Sequence, residues 1–325
     1  MKVAVTGGSG VVGSAVVGHL LAAGHEVWAL ARSVEASEKL DDLGAHVVHG
    51  DVLGTDAVGR LVKGSQRVFH IAGVNEMCSR DPARMWRINV EASLLVLDAA
   101  ESAGVERLIH TSSAVTIGEP YGTVGTEDSP HRGHFLSEYE RSKTVAERLL
   151  FNRSEGTEVV AVNPSSVQGP GRSTGTGAIF LAAARGRIPF LVDTTISLVD
   201  IDDCARGHLL AAEKGVAGER YILSGNTLTV RQAEREIRLL LGRRGSPWFL
   251  NPTVVRAAAP IADGATRIMG RPSLLCSESA RVMVNGHRYD GTKATRDLGL
   301  DYTPAADTIA RTLDWFRTEG LLSLR

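Results

Sequence analysis

Net charge is nearly absent from this chain: 36 Lys and Arg against 37 Asp and Glu leave −1 over 325 residues. With no basic excess, nucleic acid and other polyanions are excluded as expected partners. Cysteine is scarce, and Cys78, Cys204 and Cys276 are scattered, odd in number and without CxxC spacing. That pattern argues against zinc or a disulfide frame and predicts free, mostly buried thiols in a reducing cytoplasm. No apolar run approaches the roughly eighteen residues of a membrane span. The first residues enter a strand without a signal-peptide pattern, so a soluble cytoplasmic protein is expected. Internal repeats and low-complexity tracts are missing too. The length exceeds what one core usually organises, which predicts a large domain and a smaller one.

What is present begins at once. Lys2-Val3-Ala4-Val5 has the length and β-branched content of a buried parallel strand and stops at a glycine cluster. Val11, Val12, Ala15, Val16, Leu20 and Ala23 then recur at helical spacing up to Gly24. Gly8, Gly10 and Gly13 spell GxGxxG, while Thr6, Gly7, Gly10 and Gly13 spell TGxxGxxG. Strand, glycine turn and helix form the first half of a dinucleotide site, with amides and the helix dipole facing an anion.

The second strand, His25 to Leu30, ends in Ala31-Arg32-Ser33 with no acid before Glu35. An acid here accepts from ribose hydroxyls, whereas arginine pairs with a 2′-phosphate, so Arg32 favours NADP(H) over NAD(H). A third strand, 45–50, leads to Asp51 and Val52, placed to border an adenine. A fourth, 67–73, ends in Ala72 and Gly73, small enough for backbone to approach a cofactor. His70 inside it reads as a core histidine. Residues 81–103 read as one long helix with Asn89 on it, at a position where an amide is expected to be exposed. Strand 107–110 runs into Thr111-Ser112-Ser113-Ala114, hydroxyls at the edge where ligands of such sheets bind. Six Gly and Pro residues over 117–137 predict a long loop able to cover a substrate. In the helix from about Leu136 to Asn152, Tyr139 and Lys143 share one face and set an ammonium beside a phenol. A nearby positive charge favours the phenolate of a tyrosine whose free pKa is about 10.

Together with HIAG at 70–73, RINVEAS around Asn89, HTSSAVT at 110–116, YERSK at 139–143, VNPSSVQGPG at 162–171 and TKATRDLGLDYTP near 292–304, these motifs resemble the extended short-chain dehydrogenase/reductases. The resemblance implies an α/β fold, a doubly wound parallel (Rossmann) sheet with a smaller, mostly helical C-terminal substrate domain. Residues 1–165, rejoined by 199–224, are expected to form the first part, and 166–198 with 225–325 the second. It implies Ser113 on the substrate oxygen, with Ser112 as fallback, Tyr139 exchanging the proton, and Lys143 binding the nicotinamide ribose while lowering the tyrosine's pKa. The expected cofactor contacts are Thr6, Gly7, Gly10, Val11, Val12, Gly13, Arg32, Asp51, Val52, Ala72, Gly73, Lys143, Asn163, Pro164 and Ser166. Family members often pair through a bundle that here would include 81–103 and 136–152, so a homodimer is expected.

Nucleotide-sugar epimerases and dehydratases commonly carry an arginine just before the strand ending in Val-Asp-Asp. Here Thr195-Ile196-Ser197-Leu198-Val199-Asp200-Ile201-Asp202-Asp203 has none, which leaves Arg172, Arg185 or Arg187 to supply that contact. The asparagine-proline segment resembles dihydroflavonol reductase-like proteins. The expectation is an NADP(H)-dependent oxidoreductase interconverting a ketone or aldehyde and an alcohol. An NAD-dependent nucleotide-sugar epimerase or dehydratase is the rival, and an NADP-holding regulatory module a third reading. No His or Glu completes a metal set around Asp202 and Asp203. Residues 247–285 read as helices broken by prolines, first as the wall of an apolar pocket, then as core packing or a face against a membrane or second subunit.

Overall fold

The computed structural model describes residues 1–257 and 276–322. Twelve strands are described in chain order: β1 (Lys2–Thr6), β2 (Glu26–Ala31), β3 (His46–His49), β4 (Arg67–His70), β5 (Arg107–Thr111), β6 (Glu158–Pro164), β7 (Ser166–Gln168), β8 (Phe190–Val192), β9 (Thr195–Asp200), β10 (Arg220–Leu223), β11 (Asn226–Thr229) and β12 (Trp248–Leu250). Seven of them make one sheet in the order β10-β6-β5-β4-β1-β2-β3, parallel throughout. The chain reverses its direction of travel across the sheet between β1 and β4. In a doubly wound sheet the crevice at that switch is where a ligand sits.

Period-two alternation divides the interior between the two faces. Val3 and Val5 of β1 join Phe69, Ile109 and the helix residues Val16, Val17, Leu20, Cys204 and Ala205 on one side. Ala4, Val68 and Leu108 face Val58, Leu61, Val62, Val96, Leu97 and Leu150 on the other. Helices Val11–Ala22 and Ile201–Lys214 cover the first face, and Thr55–Val62, Ala92–Ser102 and Glu138–Arg153 the second. Asp200 caps the Ile201 helix by accepting from the Asp202 amide at 2.9 Å. Beyond the large sheet, β9 lies between β7, parallel, and β11, antiparallel. Helices Thr176–Ala184, Val230–Leu240 and Ala305–Thr318 bury Phe180, Ile237, Ile309, Leu313 and Phe316 in a core of their own.

Three expectations are corrected. Cys78 and Cys276 form a disulfide with Cα atoms 6.2 Å apart, leaving only Cys204 free and buried. Cysteine usage therefore no longer argues for a reducing compartment. Trp248–Leu250 is a strand parallel to β8 rather than part of a helix, while 252–257 and Ser277–Asn285 are helical and 258–275 lie outside the described residues. The segment 81–103 is interrupted: α-helix Pro82–Trp86, a π-helical turn Arg87–Glu91, then α-helix Ala92–Ser102. Among the described residues no helix is long and apolar enough to cross a membrane.

Candidate active site

The glycine turn at the end of β1 is shaped by what a side chain would strike. Gly7 has φ +74°, and a Cβ there would meet the Ala72 amide nitrogen at 2.5 Å. At Gly13 a Cβ would run into the Gly7 carbonyl oxygen. Gly10 caps helix Val11–Ala22 with no side-chain hydrogen bond and no acid in the first turn, so the amides of Val11 and Val12 open the helix without a protein acceptor supplied by the cap. These features fit a dinucleotide pyrophosphate. The Thr6 side chain is fully buried and joins an internal chain of hydrogen bonds. Ala72 N donates to Thr6 Oγ1 (3.3 Å), which donates to His70 Nδ1 (2.8 Å); His70 Nε2 donates to Ser93 Oγ (2.9 Å), which donates to the Asn89 carbonyl (2.8 Å). Burial and the Lys143 charge push His70 down to about 3, so it stays neutral, a core histidine as expected.

Arg32 is exposed at the end of β2 and reaches Asp51 Oδ2 at 3.6 Å, while Asp51 Oδ1 accepts from the Leu53 amide. The motif reading missed Lys39, which crosses from helix Val34–Leu43 to donate to the Ser9 carbonyl at 2.9 Å in the glycine turn. It brings a cation to the glycine turn itself.

Tyr139 and Lys143 are both buried on helix Glu138–Arg153, whose cap Ser137 accepts from the Glu140 amide at 3.0 Å. Burial raises the Tyr139 phenol, opposed by a hydrogen bond from Ser113 and the Arg172 charge. Ser113 is the serine acting on the phenol, whereas the Ser112 hydroxyl is buried without a hydrogen-bond partner among the described residues. Lys143 Nζ donates to the Thr111 carbonyl at 2.6 Å and is brought down to about 8, chiefly by burial. Its nitrogen lies 3.5 Å from where a Gly73 Cβ would stand, and Asn89 Oδ1 lies 3.3 Å from the same point, so a methyl there would touch the lysine and press on the Asn89 amide.

Asn89 is buried, not exposed. Its amide accepts from Val74 N (2.7 Å) and donates to the Val74 carbonyl and to Ser142 Oγ (2.9 Å each), tying the segment after β4 to the Tyr139 helix. Asn163 was expected at the cofactor, but its amide lies behind the site. It donates to Glu147 Oε2 at 2.7 Å, Thr116 Oγ1 at 2.9 Å and the Ser113 carbonyl at 3.3 Å. Ser166 Oγ donates to Thr176 Oγ1 at 2.9 Å and accepts from Gln168 Nε2 at 3.0 Å. Pro164 is buried at the end of β6 and Val52 borders Asp51, half-buried. The loop 117–137 is fastened by buried charge: Glu140 pairs with Arg132, and Glu119 accepts from His287 Nδ1 at 2.7 Å. Asp202 pairs with Arg311 and Asp203 with Arg206, and Asp203 also takes the Thr303 amide.

A parallel seven-stranded sheet with a glycine turn at its switch point and a Ser-Tyr-Lys group beside it is the architecture of an extended short-chain dehydrogenase/reductase, a nicotinamide-using enzyme. The chain belongs to the NAD dependent epimerase/dehydratase family, whose model matches residues 3–224. A putative dihydroflavonol 4-reductase of Synechocystis is 30% identical over 97% of this chain and 94% of that one. A 2-alkyl-3-oxoalkanoate reductase of Stenotrophomonas maltophilia is 30% identical over 94% and 95%. Among solved structures, a nucleoside-diphosphate-sugar epimerase of Pseudomonas aeruginosa superposes with a TM-score of 0.81 at 26% identity, covering 99% of each chain.

Proposed function

We propose that the protein is an NADP(H)-dependent reductase interconverting a ketone or aldehyde and an alcohol. The observation that carries this is the burial of Tyr139 and Lys143 on one helix face beside the buried Ser113, which acts on the Tyr139 phenol. The names of the Synechocystis and Stenotrophomonas relatives support a reductase.

Gly7, Gly10 and Gly13 with the amides of Val11 and Val12 would hold the pyrophosphate, and Arg32 and Lys39 the 2′-phosphate. Asp51 and Val52 would border the adenine, with Ala72, Gly73, Pro164 and Ser166 towards the nicotinamide. When bound, the nicotinamide supplies the hydride. Ser113 donates to the substrate oxygen and holds it at the phenol. Tyr139, kept protonated at neutral pH because burial raises its pKa, gives its proton to that oxygen as charge develops there. Lys143 remains mostly charged at neutral pH and stabilises the phenolate left behind. Two copies pairing through the helices within 92–102 and 138–153 belong to the same reading, and light scattering in solution tests that pairing.

Tyr139→Phe removes only the transferable proton. Turnover should fall at least about 100-fold, the lower range for general acid catalysis, with NADPH affinity unchanged by titration. A fully active Phe variant refutes the assignment. A panel of ketones, aldehydes and sugar nucleotides followed by nicotinamide absorbance separates the rival. A net change supports a reductase, and turnover without one supports an epimerase.

A further inference from the structure

We propose that Arg172 is the seat for a carboxylate on the substrate, so that the compound turned over is an oxo acid or hydroxy acid rather than a neutral ketone or alcohol. This rests on the reading of Tyr139 as the proton-transfer group and narrows the substrate class of that site.

Arg172 follows β7 at the end of Gly169-Pro170-Gly171, its amide donating to the Gly169 carbonyl at 3.2 Å. Two glycines make room for it. A Cβ at Gly177 would lie 2.9 Å from Arg172 Cγ, and one at Gly175 would lie 3.1 Å from a terminal guanidinium nitrogen. The residue is half-buried, its Nε is shielded from solvent, and that nitrogen has no hydrogen-bond partner. Among the described residues the guanidinium makes no hydrogen bond or ion pair. Other arginines around the cleft are engaged: Arg132 with Glu140, Arg220 with Glu147, Arg311 with Asp200 and Asp202. Burial lowers the Arg172 pKa, and its charge acts on the Tyr139 phenol.

A partly buried cation without a counter-charge, whose charge is felt by the Tyr139 phenol, is half of an ion pair. The ligand supplies the other half. A single guanidinium matches a carboxylate through two parallel hydrogen bonds, whereas a diphosphate spreads its charge over more oxygens than one uncommitted arginine can meet. The other anion within reach is the cofactor's own phosphate, since a Cβ at Gly171 would stand 3.6 Å from Val11 Cγ1 at the start of the first helix. The experiment separates the two.

Oxidation of 3-hydroxyoctanoate and of its methyl ester by NADP+ is compared in the wild type, Arg172→Gln and Arg172→Lys, with cofactor affinity titrated for each. The wild type should prefer the acid by about 100-fold in kcat/KM. Arg172→Gln should abolish that preference, mainly through KM for the acid, leaving NADP+ affinity within about twofold. Arg172→Lys should restore part of it. Where turnover of either compound is too slow to follow, calorimetric binding of the acid but not the ester to the NADP+ complex gives the same reading. Equal use of acid and ester by the wild type overturns the proposal, as does a loss in cofactor affinity matching the loss in kcat/KM. An active Tyr139→Phe enzyme refutes the mechanism instead. An inactive Tyr139→Phe beside an unchanged acid preference in Arg172→Gln refutes the carboxylate seat alone.

Discussion

Arg32, the residue proposed to take a cofactor phosphate, is only loosely held by the rest of the protein. Its pairing with Asp51 spans 3.6 Å between side chains that are 65% and 41% exposed. Exposed pairs of this kind contribute about 0–1 kcal/mol. A doubly charged phosphate can therefore recruit Arg32 from Asp51 at small cost, and Lys39 already lies over the turn through Ser9. On the proposed reading, Arg32→Ala and Lys39→Ala should each lower the ratio of NADPH to NADH affinity by about tenfold, the scale of one charge-assisted contact. Fluorescence titration with both cofactors is the measurement, and equal ratios in wild type and variants would remove both residues from the cofactor site.

At the level of the element, the first helix carries two glycines with opposite demands. Gly13 packs against the Gly7 carbonyl, whereas Gly18 has nothing within 4 Å of where a Cβ would stand. Gly18→Ala should raise stability by about 1 kcal/mol from helix propensity alone. Gly13→Ala should lower it and widen the turn, weakening dinucleotide binding. Urea unfolding of the two variants tests the contrast. The same turn was legible in the sequence because strand, glycine spacing and helix are all local. The Tyr139–Lys143 face was legible because an α-helix fixes which residues four apart are neighbours. Asn89 was not. A helical wheel assumes one period throughout, and the π-helical turn at Arg87–Glu91 shifts the phase so that an amide expected outside turns inward. Trp248–Leu250 is only three residues long, too short to show a period, and its partner β8 is distant in the chain. Asn163 sits on a motif associated with the cofactor, yet Glu147 and Thr116, from elements far from it in sequence, determine where its amide goes.

Across the whole molecule, three neutral histidines lie beneath the site. Burial holds His70 at about 3 and His208 at about 4, and puts His110 well below its ordinary value, 5.5 Å from His70 ring to ring. His208 has both ring nitrogens engaged, with Thr111 Oγ1 at 2.9 Å and the Cys204 carbonyl at 2.7 Å. Between these folded values and the unfolded value near 6.5, the unfolded chain binds more protons than the folded one. Stability contributed by keeping the rings neutral is therefore complete above about pH 6.5 and declines as pH falls towards 4 and 3. Urea midpoints between pH 4 and 8 should drop on the acid side, and His208→Gln should flatten part of that slope. An unchanged slope would show that other groups govern acid unfolding.

The sulfur bridge has a topological consequence. Cys78 and Cys276, 198 positions apart, close a covalent ring that contains Ser113, Tyr139, Lys143 and Arg172, while the glycine turn and the last helix lie on tails outside it. One backbone cut within the ring opens it without dividing the polypeptide, and the two pieces separate only when a thiol reduces the bridge.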